Sequence, residues 1–383
     1  MNFDYNEEQQ LLAASIRRFV DKDYAFETRR KIMSSSDGWS PEVWAKLAEL
    51  GVLGLPLPAE TGGFGGGAVD LMPVMEAFGD ALLVEPFLAT VGLGAQFIVR
   101  GAVPERRKQI LPAVVEGKLK MAFAHTERDA RYDLKRVASR ARRAEGGYAI
   151  DGEKRVVLHA PCADLLVISA RTGGSDGDAR GISLFVVDAA AKGLSMARYR
   201  TLDGCVAADI VLHNVRVPVD GRIVAEGDGL ALIEEVVDYA TALVCAEAVG
   251  AIRSANEATL EYLKTRKQFG VPIGSFQALQ HRMVDMVIEQ EQAQSMASLA
   301  CATVDSERDP VQRKRMVSAA KIRVADACRR VSQEAVQLHG GMGMSDEMKV
   351  SHTFRRLTII TQQFGNADHH LERFAVASDT KRD

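Results

Sequence analysis

Apolar positions recur at helical spacing from the start of the chain to about Lys118. Leu11, Leu12, Ile16, Phe19 and Val20 fall on one face, with Asn6 or Asp4 available as N-cap. Ser40-Pro41 is a cap followed by proline at the first helical position. The face Val43, Trp44, Leu47, Leu50 follows, and Gly51 stands where that helix stops. PLPAETGGFGGG reads as a loop, and Val69 to Phe78 as a further apolar helix. Gly62 to Gly67 have neither a strand before them nor a GxGxxG register, so they predict a flexible or tight-turning connection, not a dinucleotide fingerprint.

From about Lys120 to Val219 the period changes. MAFAHT, GYAIDG, RVVLHA, DLLVISAR, GISLFVVD and AADIVLHNVRVP are short alternating or β-branched runs, broken at close intervals by Gly, Asp and Pro. That spacing predicts an antiparallel barrel or sandwich and leaves no room for the helices of a βαβ fold. After Gly229 the helical pattern returns. One face runs from Ala231 to about Lys264 and another from Phe276 to about Ala302. A third begins at Asp309-Pro310 and is stopped by His339-Gly340-Gly341. Long Ala-rich helices with short links predict an antiparallel bundle. The expected architecture is therefore an N-terminal all-α domain over 1–118, a central antiparallel β-barrel or sandwich over 119–225, and a C-terminal four-helix bundle over 226–383.

At 383 residues two or three domains are expected, and 47% hydrophobic with 26% charged residues is ordinary for a globular chain. The formal net charge of -3 gives no bulk reason to expect nucleic-acid or anionic-membrane binding. Five scattered cysteines, without CxxC or Cys/His pairing at ligand spacing, read as buried small hydrophobes in a reducing compartment, with no metal site. The opening MNFDYNEEQQ is polar and acidic, and Phe87 to Val99 is too short and Gly-rich to span a bilayer, so a cytoplasmic protein is expected.

Two segments of the last region stand out. RKQFGVPIGSFQ joins two long helices through Gly270, Pro272 and Gly274, and gathers Arg266, Phe269 and Gln277 near one turn. A cation at a helix end, an aromatic face and an amide suit a pyrophosphate and an adenine; a plain inter-helix turn is the alternative. QLHGGMG, Gln337 to Gly343, has three glycines after a long helix; these permit close backbone approach, though by themselves they predict a helix C-cap.

Taken together, RKQFGVPIGSFQALQHRMVDM and QLHGGMGM resemble the two C-terminal signatures of the acyl-CoA dehydrogenases. MNFDYNEEQQLLAASIRRF, WAKLAELGVLGLPLPAETGGFGG and ADIVLHNVRVP extend the resemblance, in the family's order, over essentially the whole chain. It implies FAD as cofactor, an acyl-CoA thioester as substrate and an electron-transfer flavoprotein as electron acceptor. Arg266, Phe269 and Gln277 match positions on the FAD pyrophosphate and adenine side. Gln337 and Gly341 match positions that reach a neighbouring subunit's FAD, which implies a dimer or tetramer. Thr126, in the strand Phe123 to Glu127, and Asn366 match flavin contacts.

Departures from the family pattern concern the catalytic base. The family removes a proton alpha to the thioester while a hydride leaves the beta carbon, and this needs a carboxylate in a dry pocket. Gap-free counting puts Phe364 at one usual glutamate position and Ala240, followed by Thr241, at the other. Ala130 to Asp133 replace a Gly-Ser-Asp, and Val156 stands where a tryptophan packs beside the flavin. These features resemble the small-subunit branch of bacterial acyl-CoA dehydrogenases (pimeloyl-CoA and steroid side-chain types), which pairs with a second, different subunit. Asp238 and Glu247 remain as substitute carboxylates, Glu247 with an ion pair to Arg355 or Arg356 as its structural alternative. His369-His370 point to different sides of a helix and predict no metal site. Lys135, Arg136, Arg140, Arg142 and Arg143 form either a CoA-phosphate contact or a solvated strand face. Three functions follow: an acyl-CoA dehydrogenase, a cofactor-completing subunit without its own base, or a flavin monooxygenase or oxidase on the same fold.

Overall fold

The computed structural model describes residues 6–379. Helices α1 (Glu7–Asp23), α2 (Phe26–Ser34), α3 (Pro41–Glu49), α4 (Ala68–Ala81), α5 (Ala95–Gly101) and α6 (Pro104–Val115) come first. Strands β1 (Met121–Ala124), β2 (Arg140–Ala144), β3 (Gly147–Leu158), β4 (Leu165–Arg171), β5 (Ile182–Asp188), β6 (Leu194–Arg200) and β7 (Val206–Pro218) follow. Helix α7 (Gly229–Thr265), the short hairpin β8 (Lys267–Gln268) and β9 (Val271–Pro272), and helices α8 (Gln277–Ser306), α9 (Pro310–His339), α10 (Lys349–Gln362) and α11 (Ala367–Asp379) complete the chain. By internal contacts the chain forms two compact units. One comprises Met1–Arg30, Gly67–Leu83 and Thr241–Asp383, the other Lys31–Gly66 and Val84–Ala240.

In the first unit the sequence signals at helix ends act as expected. The Asn6 side chain accepts from the Gln9 amide and closes a capping box on α1, while Asp4 lies outside the described residues. Asp309 caps α9 with Pro310 behind it. Ile16, Phe19 and Val20 of α1 are buried, but Leu11 is 69% exposed. It shares its line along the helix with Ser15 and Arg18, so the expected apolar face is narrower than five residues.

Helices α4 and α7 meet backbone to backbone. A Cβ on Gly79 would lie 1.8 Å from the Glu247 carbonyl oxygen, and one on Gly250 would lie 1.8 Å from that of Glu76. Beside this crossing the buried Glu76 carboxylate accepts from Arg253 (2.9 Å) and Gln294 (3.0 Å). Asp305 of α8 accepts from the Ala68 and Val69 amides at 2.8 and 2.9 Å, so a distant carboxylate caps α4 where Gly67 offers no side chain. On the far side of the unit, α9 packs against α8, α10 and α11.

The second unit holds α3, α5, α6 and the seven-stranded sheet, in the order β1-β4-β2-β3-β7-β6 with β5 on β4. The β2–β3, β4–β5 and β6–β7 pairs are antiparallel, as their short connections favour, and β3 and β7, distant in sequence, are antiparallel too. Two pairings depart from the expected pattern: β1 runs parallel to β4, and β2 meets β4 through a single parallel bridge. Long excursions separate these strands in sequence, and no hairpin constrains their direction. Ala122, Ala124, Ile150, Leu166, Ile168, Phe185 and Ile210 belong to the sheet's buried core. Ser40 caps α3, whose Val43, Trp44 and Leu47 are buried while Leu50, at the cap, is exposed. Among the glycines of the loop before α4, Gly63 is fixed by crowding: its Cβ would meet the Leu57 carbonyl oxygen at 2.2 Å.

The α4–α7 contact gives a direct test. Gly250→Leu must force the two backbones apart and is expected to cost about 3 kcal/mol or more in denaturant unfolding, at the upper end of overpacking effects. Gly341→Ala, where an added Cβ meets nothing within 4 Å, is expected to change stability by less than about 0.5 kcal/mol.

Candidate cofactor and substrate site

In the first unit, α7 ends at Thr265 and the chain turns back through the β8–β9 hairpin. The Ile273 amide closes that turn on the Arg266 carbonyl at 2.8 Å. Gly270, at φ +83°, and Phe269, at φ +52°, form its tip. Left-handed backbone at a phenylalanine is uncommon and uphill, so the hairpin holds this ring out against its own preference. Phe269 is 92% exposed and meets Phe276 edge-on with ring centres 6.3 Å apart. Arg266 and Gln277 are exposed beside it, and among the described residues Arg266 has no acidic partner. An unpaired guanidinium, an unshielded ring and an amide on one turn fit a ligand with an anionic and a planar part.

The end of α9 lies alongside. Tyr262, one turn before Arg266, stacks on His339 with centres 4.5 Å apart. This contact ties the end of α9, which carries Gln337 and leads to Gly341, to the last turns of α7 before Arg266. Gln337 and Gly341 are exposed, and an added Cβ at Gly340 or Gly341 would meet nothing within 4 Å. This glycine run is a helix stop, and it also leaves a bare backbone surface for another molecule.

In the second unit, Thr126 follows β1 and is exposed, and its carbonyl accepts from the Arg155 amide at 2.8 Å. The next residue, Val156, sits at a register shift in β3 with φ +52° and is 53% exposed. A β-branched residue in that region is an outlier. It is held there because its amide donates to Asp209 at 3.0 Å. Of the seven described non-glycine residues with left-handed backbone, Arg131, Val156, Phe269 and Phe364 all fall in segments singled out by the sequence. Strain of this kind, roughly 1–3 kcal/mol per residue, gathers at ligand-binding surfaces.

Neither expected base position holds a carboxylate. Ala240 is fully buried, and Phe364, at φ +61°, lies in the turn between α10 and α11. Glu247 forms a two-pronged ion pair with Arg356, at 2.6 and 2.7 Å, and both side chains are buried. Arg355 pairs with Asp346 instead. A carboxylate held by a guanidinium at both oxygens is poorly suited to take a substrate proton. Asp238 is almost fully enclosed. Asn366 accepts from the His369 amide with its side-chain oxygen at 3.0 Å and so caps α11, which leaves its amide NH2 group as a donor.

The basic run is committed largely to protein partners. Arg142 pairs with Asp151 at 2.6 Å, Arg143 with Glu226, and Arg140 donates to the Gly174 carbonyl. Cys205, Cys245, Cys301 and Cys328 are buried, and burial pushes the Cys245 thiol up to about 11 and that of Cys328 to about 12. Cys162 is partly exposed, unlike the expectation for all five.

Two buried networks lie behind the Thr126 and Phe364 segments, and the sequence pattern gave no sign of Lys154, Ser318 or Lys321 in them. Behind Thr126, the fully buried Lys154 ammonium donates to Glu127 (2.7 Å), Ser169 (3.1 Å) and the His125 carbonyl (3.3 Å). Lys154 holds the Glu127 carboxyl below its usual range against the opposing effect of burial. Behind Phe364 lie His370, Ser318 and Lys321. The alternation of β3 would have placed Lys154 on a covered face, but a lone lysine in a strand reads as solvated.

Comparison with known proteins agrees with this geometry over nearly the whole chain. Family models described as acyl-CoA dehydrogenase N-terminal, middle and C-terminal domains match residues 6–118, 122–215 and 227–377. A caffeyl-CoA reductase–Etf complex subunit, CarC of Acetobacterium woodii, is 29% identical over 93% of this chain and 94% of its own. The ChsE4–ChsE5 complex of Mycobacterium tuberculosis superposes with a TM-score of 0.89 at 25% identity, covering 99% of both chains. The FAD complex of PigA gives 0.90 at 28% identity over the full length of both. The family matches and the FAD-bound structure on which the chain superposes place it among flavin-dependent oxidoreductases. Within that class, this chain belongs to the acyl-CoA dehydrogenase family.

The buried histidines set the pH response. Burial, with Lys154 nearby, lowers His125 to about 3; burial, with Lys321 nearby, lowers His370 to about 2, from an ordinary 6.5. Below pH 6.5 the unfolded chain therefore binds protons that the folded chain refuses, so stability falls as pH falls. Each ring contributes up to about 1.4 kcal/mol per pH unit. Unfolding free energy measured between pH 7.5 and 5, above the carboxylate range, is expected to drop with acid, and His125→Gln is expected to flatten that slope.

Proposed function

We propose that this chain is a subunit of a heteromeric acyl-CoA dehydrogenase, with domains over 1–118, 119–225 and 226–383, acting in the cytoplasm. Its substrate is an acyl-CoA thioester, and its electrons pass to an electron-transfer flavoprotein. Arg266, Phe269 and Gln277 hold the pyrophosphate and adenine of FAD. Gln337 and Gly341 complete a cofactor shared across a subunit interface, and Thr126 and Asn366 face the flavin. Bound FAD supplies the hydride acceptor for the substrate beta carbon. The residues fit the cofactor: Arg266 is a free cation, Phe269 a held-out ring, Gly341 an open backbone, and Asn366 keeps a donor where the family has a threonine hydroxyl.

One observation carries the heteromer. Phe364 and Ala240 leave both base positions without a proton acceptor, and Glu247, one of the two substitute carboxylates expected on α7, is locked to Arg356. The alpha proton then goes to a carboxylate on the partner subunit. The names of two relatives support the partners chosen: one is a subunit of an Etf complex and another comes from a two-protein complex.

Arg266→Ala is expected to fold normally and to lose FAD at sub-micromolar concentration, by at least tenfold in affinity, read from flavin absorbance after gel filtration. Full FAD retention would place the pyrophosphate elsewhere.

Expressed alone, the chain is expected to reduce dye with acyl-CoA at least about 10²-fold more slowly than when co-expressed with a second acyl-CoA dehydrogenase subunit, the usual cost of a missing base. Full turnover by the lone chain, abolished by Glu247→Gln or Asp238→Asn, would overturn the heteromer and identify the base. Flavin reoxidation that consumes oxygen without acyl-CoA would favour the monooxygenase or oxidase reading.

A further inference from the structure

The turn between α10 and α11 is held from behind by three buried polar residues, Ser318, Lys321 and His370. Helix α10 ends at Gln362, and the chain passes through Phe364 at φ +61° and Gly365 at φ +120° before Asn366 caps α11. Had the helix continued, the Phe364 amide would have bonded the Ile360 carbonyl. Gln363, extended at ψ 126°, turns that amide away, and the Lys321 ammonium, fully buried on α9, takes the Ile360 carbonyl instead. Four residues on, His370 Nε2 meets the Phe364 carbonyl at 3.1 Å.

Proton positions along this chain of contacts are determined by chemistry. A carbonyl oxygen only accepts, so His370 Nε2 carries the hydrogen and donates. Burial keeps the ring neutral, so Nδ1 is an acceptor and takes the Ser318 hydroxyl hydrogen at 3.3 Å. Ser318 Oγ in turn accepts from Arg373 at 3.3 Å. Each link has one donor and one acceptor, and the relay ends on the carbonyl of the strained residue. Ser318 and Lys321 are three apart on α9 and so share one face. The imidazole also dictates its neighbour: a Cβ on Gly365 would lie 2.6 Å from the His369 ring and 2.7 Å from His370 Nε2.

We propose that His370 is a positioning residue: by fixing the Phe364 carbonyl it holds the Phe364–Asn366 turn in the conformation that presents Asn366 to the flavin. Its role rests on the reading of Asn366 as a flavin contact. His370 is itself buried and acts only through the turn. Without its hydrogen bond, the left-handed backbone at Phe364 has no compensation, and the turn relaxes towards ordinary dihedral angles.

The test uses the full chain with FAD bound. In His370→Leu, FAD affinity is expected to fall at least tenfold, the visible flavin band to shift, and amide hydrogen exchange to accelerate in peptides spanning 360–367. His370→Gln, whose amide nitrogen reaches about as far as Nε2, is expected to restore affinity to within threefold and exchange to the original rate. If His370→Leu does not fold, Ser318→Ala replaces it, with the same direction of change and a smaller size. Unchanged flavin affinity and unchanged exchange at 360–367 overturn the proposal, as does a glutamine variant as impaired as the leucine one. Asn366→Ala separates the two readings. Lost FAD affinity there, with none lost in His370→Leu, overturns the role of His370 alone. Intact affinity in Asn366→Ala overturns the flavin contact on which it rests.

Discussion

The close crossing of α4 and α7 is the constraint on which the bundle side of this protein depends. Two glycines, Gly79 and Gly250, let each backbone touch a carbonyl of the other helix, a distance no other side chain permits. Once the helices are that close, the polar groups beside the contact must be satisfied inside the protein. Glu76 is met by Arg253 and Gln294, and Glu247 by Arg356. Breaking one member of such a buried pair costs far more than the pair contributes net, since the survivor stays charged and enclosed. The same crossing therefore explains why a carboxylate that is suspicious in sequence is a structural group in the fold.

Elsewhere the backbone is forced into left-handed conformation at single residues. Val156 is held by Asp209, Phe269 by the turn of a two-residue-strand hairpin, and Phe364 by the relay from Arg373 through Ser318 and His370. In each case a side chain is presented by a conformation that its own sterics disfavour, and a hydrogen bond or a tight turn from well-packed structure offsets the cost. A substitution in the structure behind such a turn therefore acts on the turn itself.

The sequence alone settled much of this. Helix caps at Asn6, Ser40 and Asp309, the change of apolar period near Lys120, and the glycine stop after His339 are local signals, because caps and periodicity depend on neighbours within a turn. Ordered motifs identified the family and placed Arg266, Phe269 and Gln277 together, since they lie within twelve residues of one another. They also exposed the empty base positions at Phe364 and Ala240. Tertiary structure decided what depends on residues distant in the chain. It set the parallel register of β1 on β4, the capping of α4 by Asp305, and the choice of Arg356 over Arg355 as the partner of Glu247. It enclosed Lys154, Lys321 and His370, three polar side chains whose type alone predicts exposure, and burial against Glu127, Ile360 and Ser318, 27, 39 and 52 positions away, fixed their hydrogen bonds. Local pattern fixes which element a residue joins; which of its atoms lose water is decided only when distant elements pack.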